Sequence, residues 1–444
     1  MSGGIEIREL LRKLSVRKDR LQDLTEGGIS GIINAGRITR LWVNDSEFGF
    51  PFLSSTDITQ TDLSNLSYIA KSVARKNSQL LIKDRWILIT RSGTIGRMAY
   101  AREDMNGMAC TEDVLRVIPD ENAAKSGYIY AYLSSKFGLP IVVSGTYGSI
   151  ITHLEPRHIA DLPVPRLGVV EDQAHDLAQG AASNRVLATK LIDEAINEVY
   201  SALGMMVQAE GKQSNTPSLT TQTSSLLLKR MDAYYYSNEN SEARQAFNRA
   251  GDLFGNENLG DIADVWIPNI FKRLYAEDPN YGCPYFTGKE IYELFPSTHL
   301  FLKREVAQNY RLILSAGMIL VQDSGQISGL IGRPVQVGKH LEGAACTNNM
   351  VRIQTPDILD NGYLFALLST HYGIRLLKRE ASGSSIPHLD EGRIKRLAIP
   401  WPAQSIRLSI GTKVIKALHL RDEAVDMENK ARALVEHAIE EGGR

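Results

Sequence analysis

The feature of this sequence that most constrains its fold is an internal duplication. The segment RWILITRSGTIGR, from Arg85, matches GMILVQDSGQISG, from Gly317, and each is an apolar run that enters a Ser-Gly turn. Further along, GMACTEDVLRVIP from Gly107 matches GAACTNNMVRIQT from Gly343. Matching segments in the same order indicate that one structural unit occurs twice in the chain.

Two more matching segments extend the duplication. SGYIYAYLSSKFG corresponds to NGYLFALLSTHYG, which aligns Tyr128 with Tyr363. YGSIITHLEPRHIADLPVP corresponds to SGSSIPHLDEGRIKRLAIP, which aligns His153 with His388. The separation between partners drifts by only a few residues along the chain, which is what insertions in loops produce.

A long helical pattern follows each copy. Apolar residues recur at helical spacing from about residue 171 to 203 and again from about residue 404 to 441, without an internal proline. A lone helix of this kind is marginal in water, because its apolar stripe needs a partner. We therefore expect the two helices to pair as an antiparallel intramolecular coiled coil.

A polar segment, residues 211–225, joins the halves and is interpreted as a flexible linker because it is rich in Ser, Thr and Gln. Within each half, short β-branched runs alternate with Gly and Ser turns. We therefore predict an α+β fold of two tandem α/β domains, separated by the two long helices and related by a pseudo-twofold axis. The predicted order is a first domain (1–168), a central helix (169–206), a linker (207–226), a second domain (227–402) and a C-terminal helix (403–444).

Composition and motifs argue against several classes of protein. The net charge is −1, which argues against a protein wholly wrapped in nucleic acid. The three cysteines include no C-x-x-C pair, and this small, odd number argues against a disulfide framework or a structural zinc site. The sequence contains no G-x-x-x-x-G-K-[ST], H-E-x-x-H or G-x-S-x-G motif, and no N-P-P-Y or D-P-P-Y of an adenine methyltransferase. We therefore expect no catalytic residues, no metal and no cofactor.

The sequence also argues against a membrane protein. No apolar run approaches the roughly 20 residues that a membrane span needs. The opening MSGGIEIRELLRKL carries charges where a signal peptide would be apolar. We expect a cytoplasmic protein with no membrane partner.

The predicted helices suggest a partner by their length. At about 1.5 Å per residue each spans on the order of 50 Å, which is comparable to the ~34 Å repeat of duplex DNA. Two similar domains held apart on this scale could contact two half-sites along one double-stranded DNA. Because the halves differ, as RSGTIGR differs from DSGQISG, the half-sites should differ too.

The whole arrangement resembles the specificity subunit of type I restriction–modification systems, in which two target-recognition domains alternate with two helical conserved regions. The family's domains carry a Ser-Gly or Gly-Thr turn after a strand, then a C-T-x-x-x-x-x-R-like strand, and close near I-x-x-L-x-I-P-x-P. Here these features begin at Ile87, Cys110 and Ile159, with counterparts at Ile319, Cys346 and Ile394. RMDAYYYS also resembles the family's R-x-D-A-x-Y-Y opening, which the first half lacks.

The resemblance implies a non-catalytic subunit that recognises a bipartite DNA site and binds two copies of an adenine methyltransferase through its helices. It also allows recruitment of restriction subunits. Two alternatives stay open. One is a DNA-binding adaptor or scaffold of another bacterial defence system without restriction activity, and the other is a self-dimerising coiled-coil protein that binds no nucleic acid.

Candidate DNA contacts are the polar and basic residues of predicted loops and turns. In the first half they are Lys71, Arg75, Lys76, Arg91, Ser92, Thr94, Arg97, Thr146, Tyr147, Ser149 and His153. In the second half they are Lys303, Arg304, Ser324, Gln326, Ser382, Ser384, Ser385 and His388. Each has a structural alternative, because charge clusters are often solvated faces, Ser-Gly turns are ordinary hairpins and a histidine can make a structural hydrogen bond. Cys110 and Cys346 are interpreted as buried core residues.

Overall fold

A computed structural model describes residues 2–144, 153–207, 219–228, 230–327, 329–383 and 385–442. These residues form two compact units, and the boundary between the units falls inside both long helices. The first unit contains the described residues of 2–187 and 423–442, and the second contains those of 188–422. Within the described ranges, no helix combines the length and the apolar character needed to cross a membrane.

The first unit mixes short helices with short strands. Its helices are α1 (Ser2–Lys13), α2 (Lys71–Lys76), α3 (Ser126–Ser134), α4 (Gly138–Ser144), α5 (Pro156–Ile159) and the first part of α6 (Val169–Ala202). Its strands are β1 (Lys18–Arg20), β2 (Ile32–Ile33), β3 (Trp42–Val43), β4 (Gly49–Leu53), β5 (Ser67–Ala70), β6 (Ile87–Thr90), β7 (Met98–Tyr100), β8 (Ala109–Cys110), β9 (Val114–Val117) and β10 (Pro163–Pro165).

The second unit has the same mixture. Its helices are α7 (Ser224–Leu227), α8 (Asn238–Phe254), α9 (Leu259–Ile262), α10 (Gly288–Ile291), α11 (Arg304–Asn309), α12 (Ile358–Ser369), α13 (His371–Arg379), α14 (Glu391–Lys395) and the first part of α15 (Gln404–Glu440). Its strands are β11 (Asn256–Asn258), β12 (Asp264–Trp266), β13 (Gly282–Phe286), β14 (Phe301–Lys303), β15 (Ile319–Gln322), β16 (Pro334–Gln336), β17 (Ala345–Cys346), β18 (Met350–Gln354) and β19 (Ala398–Pro400).

The mixed α/β class and both long helices agree with the prediction. The expected helices are present as α6, with 34 residues, and α15, with 37 residues. Most of the expected linker (207–226) lies outside the described residues, and its last three residues belong to α7. A short helix therefore starts where the sequence indicated only an irregular segment.

The two units repeat one sheet topology. A four-stranded antiparallel sheet has the order β2-β9-β6-β7 in the first unit and β12-β18-β15-β16 in the second. Another sheet contains β5-β4-β8 in the first and β14-β13-β17 in the second, with an antiparallel and then a parallel pairing in each. A two-stranded pair, β1-β10 or β11-β19, completes each unit. The duplication in the sequence therefore corresponds to a repeated topology.

Each unit builds its hydrophobic core on a piece of both long helices. In the first unit the core includes, from α6 and α15, Ala174, Ala178, Ala182, Ala431, Val435 and Ile439. In the second unit it includes Ala195, Val199, Tyr200, Ile410 and Val414. The apolar stripes that the sequence predicted are thus covered inside each unit, where their burial contributes to stability.

Glycines let a short helix approach a long one closely at the same place in both units. A Cβ on Gly127 of α3 would lie 2.8 Å from the Cα of His175 in α6. A Cβ on Gly362 of α12 would lie 2.8 Å from the carbonyl oxygen of Gly411 in α15. Only glycine permits such approaches, so these positions join the short helices tightly to the long ones.

A buried charged network fixes α15 against α6 and α3 in the first unit. Arg185 of α6 forms an ion pair with Glu428 of α15, and both side chains are almost fully buried. Tyr130 of α3 donates its hydroxyl proton to Glu428 at 2.9 Å, and burial raises the pKa of this tyrosine. Because an unpaired buried charge is costly, the network favours a single register of these helices.

A buried arginine follows the Cys-Thr segment in each unit. Arg116 of β9 and Arg352 of β18 are completely buried, and burial lowers the pKa of both guanidinium groups. Their acceptors are main-chain carbonyl oxygens at matching positions. For Arg116 these belong to Cys110, Thr111 and Val114, and for Arg352 to Cys346, Thr347 and Met350. Each arginine therefore holds the turn before its own strand.

We predict that Arg116→Met and Arg352→Met each lower the free energy of unfolding by about 2–5 kcal/mol, because several buried carbonyls lose their donors. Denaturant-induced unfolding measures the loss. Arg75→Met, on an exposed position of α2, is the control and should change stability by no more than about 0.5 kcal/mol. A loss at Arg116 or Arg352 as small as the control's would contradict this role.

Candidate nucleic-acid interface

Three loops converge at one end of the four-stranded sheet in the first unit. They are the β6–β7 turn, the β8–β9 turn and the segment before α5, which we call the first loop cluster. The backbone N–H of Arg91 donates to the carbonyl of Asp113 at 2.9 Å, and the N–H of Leu154 donates to the carbonyl of Arg91 at 3.0 Å. Main-chain hydrogen bonds therefore tie the three loops together.

Side chains reinforce this connection. The Arg91 guanidinium donates to the carbonyl oxygen of Leu154 at 3.0 Å and forms an ion pair with Glu155. The Ser92 hydroxyl donates to Asp113 at 2.8 Å. Arg91 and Ser92 are thus held on the cluster by intramolecular partners, whereas Thr94 at the turn is exposed.

The second unit repeats the same main-chain connections as a second loop cluster. The N–H of Asp323 donates to the carbonyl of Asn349 at 3.2 Å, and the N–H of Leu389 donates to the carbonyl of Asp323 at 2.8 Å. Ser382 and His388 exchange two backbone hydrogen bonds of 2.9 Å each. The segment before α14 is therefore folded against the β15–β16 turn.

The two loop clusters share a backbone but present different chemistry. Arg91 in the first stands where the second has the buried Asp323, and the exposed Thr94 stands where the second has the exposed Gln326. The exposed members of the second cluster are Gln326, Ser382, Ser385 and His388. Equivalent positions therefore offer different hydrogen-bond donors and acceptors.

Asp323 is electrostatically unusual. Its side chain is buried, and among the described residues its Oδ1 has no hydrogen-bond partner. Its Oδ2 lies 3.6 Å from Nδ1 of His388. Burial raises the pKa of Asp323, and the opposing effects of Ser324 and His388 are too small to offset it.

The predicted basic residues lie on another part of each unit. Lys71, Arg75 and Lys76 are on α2, and the Lys71 ammonium donates to the carbonyl of Glu47 at 2.7 Å. Lys303 ends β14 and Arg304 begins α11, where the Arg304 guanidinium donates to the carbonyl of Gly282 at 3.2 Å. These hydrogen bonds connect Lys71 to the segment before β4 and Arg304 to the first residue of β13, whereas Arg91 and Ser324 belong to the loop clusters.

The remaining predicted residues divide into two groups. Arg97 and His153 are partly buried members of the first loop cluster. Thr146, Tyr147, Ser149 and Ser384 lie outside the described residues.

Sequence reasoning missed one repeated segment. RLWVNDSEFGFP, from Arg40, matches RLYAEDPNYGCP, from Arg273, and both lead into the equivalent strands β4 and β13. The two segments share the pattern R-L-aromatic at their start and aromatic-Gly-x-Pro at their end, but only a few residues are identical between them. The separation between Arg40 and Arg273 is also the separation between Lys71 and Arg304, so these two residues occupy equivalent positions at the start of the next helix.

The cysteine prediction is confirmed. Cys110 and Cys346 are free and buried, and burial raises the pKa of each thiol to about 11. Both thiols are therefore protonated near neutral pH and unreactive. Within the described part of the chain, no group of three or more His, Cys, Asp or Glu side chains is placed to hold a metal ion.

The mixed α/β chain is similar in structure to S subunits of type I restriction–modification systems. The S subunit from M. genitalium matches with 12% identity and a TM-score of 0.29, covering 97% of this chain and 96% of that chain. The HsdS subunit from Thermoanaerobacter tengcongensis matches with 11% identity and a TM-score of 0.26, covering 95% and 96%. A chain from a structure on complex assembly and conformational transition of the type I R-M system matches with 12% identity and a TM-score of 0.28, covering 97% and 99%.

No family model matches the chain, and no curated protein matches it. The functional inference therefore depends on the residues of the two units themselves.

We predict that Asp323→Asn is neutral or stabilising above the raised pKa of Asp323, because the variant removes a poorly solvated negative charge. A raised pKa in the folded state means that ionisation opposes folding as the pH rises. The advantage of the variant should therefore grow as the pH rises through that pKa and disappear below the unfolded value of about 4.

Urea unfolding across pH 4–8 measures this difference. Asp252→Asn, at an exposed position of α8, is the matched control and should change stability by no more than about 0.5 kcal/mol. An Asp323→Asn variant whose stability falls relative to the unmodified chain as the pH rises would contradict the electrostatic argument.

Proposed function

We propose that this chain is the DNA sequence-specificity subunit of a type I restriction–modification complex. The observation that carries the proposal is that the two loop clusters share one backbone arrangement but differ in side-chain chemistry. Two copies of a scaffold with different polar surfaces suit a bipartite DNA site with two different halves. In this proposal the chain selects the sequence and performs no chemistry itself.

Base recognition needs donors and acceptors that can reach the edges of base pairs. Gln326 is exposed on the second loop cluster, and a glutamine amide can bond an adenine through two hydrogen bonds. Thr94, exposed on the first loop cluster, offers a hydroxyl and a methyl group instead. The exposed cations Arg75, Lys76 and Lys303 suit phosphate contacts, which position a protein without specifying a sequence.

The long helices supply the second part of the proposal. Each unit packs on a piece of α6 and a piece of α15, and these helices lack the internal prolines that would bend them. We propose that they form the predicted antiparallel coiled coil, set the gap between half-sites and bind two copies of an adenine methyltransferase subunit. Restriction subunits would join the same complex, in the cytoplasm where the DNA is.

A loop exchange tests sequence recognition. The double variant Asp323→Arg/Gln326→Thr gives the second loop cluster the residues of the first. Asp390 occupies the position of Glu155, the ion-pair partner of Arg91, so it can pair with the new arginine. We predict that methylome sequencing of cells expressing the variant with its methyltransferase shows a change in one half-site only. Each altered base contact is worth about 1–3 kcal/mol of discrimination.

The matched control, Asp252→Arg/Gln79→Thr, changes the same residue types at exposed positions elsewhere and should leave the methylated sequence unaltered. An unchanged site in the loop variant, or a change in both half-sites, would contradict independent recognition. Failure of the unmodified chain to direct any sequence-specific methylation would instead favour the adaptor alternative.

A paired insertion tests the spacer role. Two helical turns inserted after Leu191 in α6 and after Leu418 in α15 lengthen both helices by about 10 Å while keeping their apolar faces aligned. We predict that the gap between half-sites grows by about three base pairs, from a rise of ~3.4 Å per base pair. Methylome sequencing gives the gap directly. A single insertion in α6 is the control and should abolish methylation, and an unchanged gap with the paired insertion would disprove the spacer role.

A further inference from the structure

The β15–β16 turn of the second unit is longer than its counterpart in the first, the β6–β7 turn. Both turns close in the same way, because the backbone N–H of Gly96 donates to the carbonyl of Thr90 at 3.0 Å and that of Gly332 donates to the carbonyl of Gln322 at 2.9 Å. Between the residues joined by these hydrogen bonds the first turn reads RSGTI and the second reads DSGQISGLI. The second turn therefore contains extra residues within a closure that the two units share.

The extra residues follow Gln326, a candidate base contact. The shared Ser-Gly aligns Gln326 with Thr94, and the closing glycines align Ile331 with Ile95. Ile331 is fully buried in the core of the second unit, and Ile95 packs against the core of the first. Residues 327–330 therefore have no counterpart in the first unit, and we call them the extra segment.

Lys378 of α13 holds the extra segment. Its ammonium group donates to the carbonyl oxygens of Ile327 at 3.0 Å and of Gly329 at 3.2 Å. The backbone N–H of Gly329 donates in turn to the carbonyl of Gln326 at 2.8 Å, so the extra segment is bonded to the backbone of this exposed residue. Charge-assisted hydrogen bonds therefore fix the chain that immediately follows Gln326.

The first unit has a valine where the second has this lysine. A Cβ on Gly96 would lie 2.6 Å from Cγ2 of Val143, and a Cβ on Gly332 would lie 2.8 Å from Cγ of Lys378. Val143 of α4 and Lys378 of α13 thus occupy equivalent positions beside the closing glycines. Because a valine side chain has no proton to donate, the lysine accompanies the extra segment and not the fold that the two units share.

Stability alone does not account for Lys378. Its side chain is half-buried, and burial, together with the charges of Arg333 and Arg375, lowers the pKa of this lysine to about 8. A lowered pKa means that the folded chain disfavours the charged ammonium group, whereas an apolar side chain such as Val143 fills the equivalent position without that penalty. The compensating benefit is the fixed conformation of the extra segment.

We infer that Lys378 is a positioning residue for recognition of the half-site that the second unit contacts. It holds the extra segment, and through it the backbone of Gln326, in one conformation before DNA binds. The inference rests on the proposed function, because it assigns Lys378 to the support of that same recognition surface. A glutamine amide discriminates between bases only when both of its hydrogen bonds meet the base edge in the right geometry, so a loose backbone should lower discrimination.

Competition binding of the full chain, in complex with the methyltransferase subunit encoded in the same system, tests the inference. The probes are a duplex carrying the site found by methylome sequencing and duplexes with one base pair changed in either half-site. The ratio of the two affinities gives the discrimination at each half-site. Lys378→Met should lower this ratio by about fivefold or more at one half-site, the one that Asp323→Arg/Gln326→Thr alters, and by less than about twofold at the other.

Two further variants separate positioning from a general structural role. Lys378→Arg keeps a charged donor for the two carbonyls and should restore the ratio to within about twofold of the unmodified chain. Deleting residues 327–330 leaves DSGQIG, which matches RSGTIG of the first unit, and with Lys378→Val it reproduces the pairing of that unit. This shortened chain should fold and show a loss of discrimination confined to the same half-site.

Lys125→Met, at an exposed position before α3, is the matched control and should leave both ratios unchanged. The urea midpoint of Lys378→Met should equal or exceed that of the unmodified chain, because the variant removes a disfavoured charge. An equal loss at both half-sites, or a loss that accompanies a lower midpoint, would overturn the inference in favour of a structural role. Undiminished discrimination by Lys378→Met would overturn it and leave the proposed function intact. An unmodified chain that discriminates between no duplexes would overturn both.

Discussion

Two buried arginines determine the backbone on which the candidate interface is built. Arg116 and Arg352 each donate to carbonyl oxygens of the turn that precedes their own strand. The same turn accepts the backbone N–H of Arg91 in one unit and of Asp323 in the other. A buried guanidinium is tolerated only when most of its protons find acceptors. Because the turn supplies acceptors to the terminal nitrogens, while Nε of each arginine has none among the described residues, the turn and the arginine depend on each other. The backbone of the loops that follow the turn therefore starts from the same position in both units, whereas their side chains can differ.

The long helices impose a second constraint, because neither unit has a complete core without them. Gly127 and Gly362 bring a short helix against α6 or α15 at a separation that a larger side chain would prevent. The ion pair of Arg185 with Glu428 adds a polar preference inside an otherwise apolar contact. Leaving one member of a buried pair without its partner is costly, so the pair disfavours registers that separate Arg185 from Glu428. Packing at the glycines therefore sets the distance between the helices, and the charged pair favours the register in which Arg185 lies opposite Glu428.

Much of this fold follows from sequence patterns, and the remainder depends on contacts between distant residues. Helical periodicity predicted α6 and α15, and β-branched runs predicted strands such as β6 and β15, because one face of each element is buried. The ion pair of Arg91 with Glu155 could not be predicted, since 64 residues separate the two in the sequence. The repeated segments that begin at Arg40 and Arg273 were missed because an exposed strand lacks the alternating pattern that burial creates, and because Trp42 and Tyr275 share chemistry but not identity. The loops containing Thr146 and Ser384 remain predictions.

A duplicated chain allows backbone and side-chain constraints to be separated, because each position has a second copy for comparison. Arg85 adopts a left-handed backbone with φ of 65°, and the equivalent Gly317 has φ of 84°. This conformation costs an L residue about 1–2 kcal/mol, so the first unit keeps the turn geometry despite the strain. At Arg91 and Asp323, in contrast, the backbone is repeated but a basic residue is replaced by an acidic one. Geometry is therefore the more strongly constrained property at the ends of these strands. This is the pattern expected of a scaffold whose shape must stay constant while its surface changes with the ligand.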